Sequence, residues 1–181
     1  MIRTFIAVEF DPAFREQIAE IQTRFADLNL KLVDPEQIHI TLKFLGDVEE
    51  ASVPELSAAL DSLTCEPFEA RVEGLGAFPN PGNPRVLWLG SVGNFKILHT
   101  QVEKVLEPLG FEKDRREFAP HATLARVKVL KMAQKKVFLN TFHELKDVKI
   151  GSMKVDRIEL KKSTLTPEGP IYETLHTAYL G

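Results

Sequence analysis

Two short segments of this chain place an imidazole and a hydroxyl two residues apart: His39-Ile40-Thr41-Leu42 and His121-Ala122-Thr123-Leu124. Residues two apart on a strand share a face, so each segment presents its histidine and threonine side by side. Ile40, Leu42, Ala122 and Leu124 then turn toward a core. With five histidines and eleven threonines in 181 residues, chance placement gives roughly 0.3 His-x-Thr triplets, and about 0.04 that also carry the following leucine. Two are present, 82 positions apart. His99, His143 and His176 have Gln101, Leu145 and Ala178 at the third position, and they read as packed or surface histidines.

Imidazole both accepts and donates a proton near neutral pH, with an unperturbed pKa of about 6.5. In-line attack on a phosphodiester needs a base on the entering oxygen and an acid on the leaving oxygen, each within about 3 Å of its proton partner. Two imidazoles facing one cleft can divide that work, and two threonine hydroxyls can hold the non-bridging oxygens. One His-Thr pair alone reads as ordinary strand surface; the repetition reverses that reading. Zinc is the other use of paired histidines, but no His-x-Glu or Cys-x-x-Cys spacing accompanies them, and no metal is expected.

The elements that must position these segments repeat in the same order. Arg3 to Phe10 alternates as a strand, and Asp11-Pro12 starts a helix whose apolar stripe Phe14, Ile18, Ile21, Phe25 and Leu28 extends it to Leu28. Strands are expected over Ile38 to Leu45 and Phe68 to Phe78, with a helix over Val53 to Leu63 between them. The loop Phe78 to Pro84 is rich in proline, glycine and asparagine. Beyond it the order begins again: a strand at Arg85 to Leu89, a helix over Phe95 to Leu109, a strand within Phe118 to Val129 and a helix over 131–142. Met153 to Lys161 follows as a strand with a break in phase near Asp156, and Ile171 to Leu180 closes the chain. A shared element order with a shared motif is the signature of internal duplication.

Composition narrows the function classes. With 44% apolar residues the chain can bury a core as one domain. Its formal net charge of -3 excludes a broad polyanion coat but not a local basic cleft. The pairs Arg115-Arg116, Lys135-Lys136 and Lys161-Lys162 read as solvated faces. Cys65 is the single cysteine, so no intramolecular disulfide forms, in keeping with a reducing compartment. The first apolar run, Phe5 to Val8, is too short for a signal peptide or a membrane span, and a cytoplasmic protein is expected.

The paired motifs, the run Leu42 to Gly46 (LKFLG), Phe78-Pro79 followed by Pro84 to Trp88 (PRVLW), and His121 to Arg126 (HATLAR) resemble the RNA 2′,3′-cyclic phosphodiesterase / 2′-5′ RNA ligase family of the 2H phosphoesterases. The resemblance implies an α+β fold of two pseudo-symmetric lobes, each an antiparallel sheet with flanking helices, around a central cleft. A single domain over 1–181 is expected, with lobes near 1–80 and 81–181 that exchange terminal strands. The implied activity is metal-free and cofactor-free opening of RNA 2′,3′-cyclic phosphate ends to 2′-phosphates, with reversible 2′-5′ ligation in some members. By motif position His39 is implied as proton donor to the 3′ oxygen and His121 as the acceptor that activates water, with Thr41 and Thr123 on the phosphate.

Arg126 is implied as a phosphate or nucleotide contact, although strand parity puts it on the face opposite His121 unless a bulge re-aims it. Lys43 shares a face with His39 and Thr41; it either reaches phosphate or, as favoured, lies solvated at a strand edge. Phe44 and Trp88 follow core parity and are expected to pack. The expected partner is RNA with a cyclic phosphate end, met by a monomer that touches no membrane. The alternatives are a small cyclic nucleotide, such as a cyclic phosphate of ADP-ribose, and a nucleotide-binding module without turnover.

Overall fold

A computed structural model describes the chain from Met1 to Gly181. Strand β1 (Ile2–Glu9) leads through a 3₁₀ turn capped by the Asp11 carboxylate into α1 (Arg15–Thr23), followed by β2 (Leu30–Leu32) and β3 (His39–Val48). Next come α2 (Val53–Asp61), β4 (Phe68–Phe78), β5 (Val86–Val92) and α3 (Phe95–Leu106). The chain ends with β6 (His121–Val127), α4 (Met132–Leu145), β7 (Lys149–Val155), β8 (Arg157–Thr166) and β9 (Gly169–Tyr179). This is the expected α+β architecture, with two sheets in which every strand pair is antiparallel.

The first sheet runs β3-β1-β8-β9 and the second β2-β6-β5-β4-β7. Sheet membership follows neither half of the chain alone: the C-terminal hairpin β8-β9 completes the sheet of β1 and β3, while β2 adds to the edge of β6. The strand expected over Met153 to Lys161 is in fact two. Its break in phase at Asp156 is where the chain leaves one sheet, at Val155, and enters the other, at Arg157. The helix expected to reach Leu28 ends at Thr23, and Phe25 is buried from the turn that follows it.

Helices cover the outer faces, where Ile40, Leu42, Ala122 and Leu124 are buried as strand parity requires. The turn after α1 meets α4 through Phe25 and Phe138, whose rings lie 5.3 Å apart. Helix α2 packs on β9 and α3, and α3 also reaches β3 and, through Phe95, Phe68 of β4. One apolar core therefore runs beneath both sheets and leaves their other faces free for the motif residues.

Candidate active site

Each motif stands on its strand in the same way. His39 Nδ1 lies 2.7 Å from the Gln37 carbonyl oxygen, and His121 Nδ1 lies 2.7 Å from that of Ala119. A carbonyl only accepts, so in both rings Nδ1 carries the hydrogen and Nε2 is the atom offered outward. His39 Nε2 lies 3.1 Å from Thr41 Oγ1. Two residues back along the chain, the same backbone group selects the same tautomer in both halves.

The strands also break register at the same place. Along β3 and β1, Thr41 pairs Ala7 and Lys43 pairs Ile6, leaving Leu42 as an extra residue; along β6 and β5, Thr123 pairs Trp88 and Ala125 pairs Leu87, leaving Leu124. A bulge reverses the parity of every residue after it. Lys43 and Ala125 consequently turn into the protein, whereas Phe44 and Arg126 turn to the open face. The carbonyl freed at the second bulge is occupied: Leu124 O accepts from the buried Gln22 side chain of α1 at 2.9 Å and from Val33 N at 2.9 Å.

This settles where the remaining expected site residues lie. Arg126 is exposed on the side of β6 that bears His121 and Thr123. Lys43 is neither at a phosphate nor solvated. Its side chain is 3% exposed, and Nζ donates to Glu103 Oε1 at 2.6 Å, the Glu112 carbonyl at 2.8 Å and Asp114 Oδ1 at 3.2 Å. Phe44, expected in the core, is 68% exposed. Trp88 does pack, half-buried against Gly76 of β4, where a Cβ would stand 1.9 Å from the indole; glycine is required there.

Aromatic rings hold the two imidazoles. Phe5 stacks on His39 at 5.0 Å between centroids, and Tyr172 of β9 meets its edge at 5.3 Å. Phe78 and Trp88 flank His121 at 5.1 and 5.9 Å. Strands β3 and β6 lie against each other across the sheets, and Tyr172 links their surroundings. Burial raises the pKa of its phenol, while the charges of Arg126, Lys161 and Arg3 oppose that rise. Burial likewise lowers the pKa of His39, against the bond to Gln37 and the charge of Glu9, while Lys161 lowers it further.

Sequence reasoning missed Phe5, Tyr172 and Gln22, whose contacts span distant parts of the chain. Lys161, expected on a solvated face, is instead bonded to Glu9 and 3.4 Å from Glu159. His99, Glu103 and Asp114 bring three potential metal donors within 4.8 Å of one another, but the Lys43 ammonium already sits on both carboxylates. His99 stacks on Phe118 at 4.4 Å, and His176 binds Asp61 at 2.8 Å on the helical side.

The LigT-like phosphoesterase family model matches this chain in two segments, residues 8–88 and 93–172. The chain belongs to the LigT-like phosphoesterases. A relative from Methanocaldococcus jannaschii, named RNA 2′,3′-cyclic phosphodiesterase, is 38% identical over 96% of this chain and 98% of its own. Another of that name, from Aeropyrum pernix, is 42% identical over 81% of this chain and 84% of its own. The crystal structure of a Thermus thermophilus protein superposes with a TM-score of 0.83 at 31% identity, covering 98% of this chain and 97% of that one. E. coli LigT bound to 3′-AMP shares the fold, with a TM-score of 0.78 at 22% identity over 99% and 98% of the two chains. The two segments of this LigT-like chain that match the family model each contain one of the bulged His-x-Thr-Leu strands.

Proposed function

We propose that this LigT-like phosphoesterase acts as a single domain over 1–181, a cytoplasmic monomer that opens 2′,3′-cyclic phosphate ends of RNA to 2′-phosphates without a metal. The observation that carries the reading is the duplicated strand: two histidines with the same Nδ1-to-carbonyl bond, each beside a threonine and each followed by the same bulge. Relatives named for this activity, at up to 42% identity, support it.

In this reading His121 Nε2 takes a proton from water as its oxygen attacks phosphorus, and His39, protonated, gives its Nε2 proton to the 3′ oxygen as the P–O3′ bond breaks. The 2′ oxygen keeps the phosphate. The Thr41 and Thr123 hydroxyls donate to non-bridging oxygens, and the Arg126 guanidinium meets the charge of the phosphate end. Lys43 takes no part, since its ammonium is spent on Glu103. In the same direction, with a 5′ hydroxyl attacking in place of water, the same steps form a 2′-5′ linkage, and run backward they cleave it.

The test is incubation, in EDTA, with an oligoribonucleotide ending in a 2′,3′-cyclic phosphate and, in parallel, with a cyclic mononucleotide. The expected product is the oligonucleotide plus one water, mapped as a 2′-phosphate. A 3′-phosphate would reverse the assignment of the leaving oxygen. Turnover of the mononucleotide alone would favour a small cyclic nucleotide, a reading supported by the fold it shares with E. coli LigT, crystallised with ATP and with NADP+.

A further inference from the structure

Beside His39 the open face of the first sheet carries a charged group that the steps above leave unused. Glu9 is the register partner of His39 on β1. Its carboxylate is bonded to Lys161 Nζ, which comes from β8 opposite Phe5, the ring stacked on His39. Lys161 also lies 3.4 Å from Glu159, and Glu159 accepts from Thr174 Oγ1 at 2.9 Å. The side chains of Lys161, Glu159 and Glu9 are 12%, 17% and 30% exposed, so this is a partly desolvated group beside His39. Desolvation offsets much of what such an ion pair gains, so stability alone is a weak reason for it.

The geometry points to Glu9 and Lys161 as positioning residues that set the protonation of His39: Glu9 holds a proton on the imidazole, and Lys161 restrains Glu9. This rests on the reading of His39 as proton donor. A donor must be charged before the reaction and neutral after it, which places its useful pKa near the working pH. Burial alone pushes His39 toward the neutral form. Glu9 works against burial and Lys161 with it. The other charged or titratable groups around the site are Tyr172 and Glu159 on the same sheet face, Arg3 on β1, and His121 and Arg126 on β6, the strand that lies against β3. Lys43 points to the opposite face, where Glu103 neutralises it.

The test combines NMR titration of the His39 imidazole with the pH dependence of kcat on a cyclic-phosphate oligonucleotide, in Glu9→Gln, Lys161→Met and the double variant. Glu9→Gln should lower the His39 midpoint and draw the alkaline limb of kcat to lower pH. Lys161→Met should raise both, and the double variant should return toward the wild type. On the alkaline limb each single change should alter kcat by about threefold or more, in opposite directions, since one unit is a factor of ten. Midpoints that stay fixed, or that move in the same direction in both single variants, would overturn the proposal. Opposed midpoints with an unmoved kinetic limb would instead overturn His39 as the proton donor, which separates the two failures.

Discussion

Burial is the largest influence on the His39 imidazole, and it disfavours the charged form. A histidine whose folded-state pKa lies below its unfolded value of about 6.5 binds fewer protons folded than unfolded as the pH falls through that window. Stability therefore rises with pH there: the penalty is absent above the unfolded value, grows as the pH drops toward the folded one and levels off below it. Thermal unfolding of the wild type should lose more stability between pH 7.5 and 5.5 than that of His39→Gln. Parallel losses in the two proteins would remove this account of the ring. At this scale the chemistry was legible, because the His-x-Thr-Leu pattern is local and repeated. The ring contacts were not: Phe5 and Tyr172 reach His39 from strands whose pairing no local pattern reveals.

At the scale of elements, one inserted residue decides which side chains face the site. Parity read along an unbroken strand puts Lys43 beside Thr41 and Phe44 in the core; the bulge at Leu42 exchanges them. The bulge at Leu124 brings Arg126 to the face of His121, the outcome that sequence alone left open. Leucine carries no mark of a bulge, so neither was visible in the residue types. Having turned inward, Lys43 ties β3 to α3 and to the 112–114 segment that leads toward His121. Removing one partner of a buried pair leaves the other charge uncompensated, so Lys43→Met should cost about 3–5 kcal/mol in urea unfolding. Changing Glu103→Leu in the same protein should recover most of that loss. A single variant as stable as the double would show that the pair is not buried in solution.

Across the whole molecule, the duplication was readable from element order and motif spacing, and the family model matches the chain twice in agreement with it. Sheet partners were harder to read, since β8 and β9 join β1 and β3 from the far end of the chain. Only the phase break at Asp156 marked the crossing. The consequence is functional: the strand that bears His39 is backed by C-terminal residues, Tyr172 and Lys161 among them, so neither half of the chain builds its site alone. The proposed mechanism divides the acid and base roles between two imidazoles on two sheets, one accepting a proton from water and the other donating one to the leaving oxygen. It is tested most directly by comparing turnover of a cyclic-phosphate oligonucleotide by wild type, His39→Ala and His121→Ala, with folding verified by circular dichroism. Each variant should lose about 10²–10⁴-fold in kcat while keeping its fold; near-normal turnover by either folded variant would contradict the two-histidine mechanism.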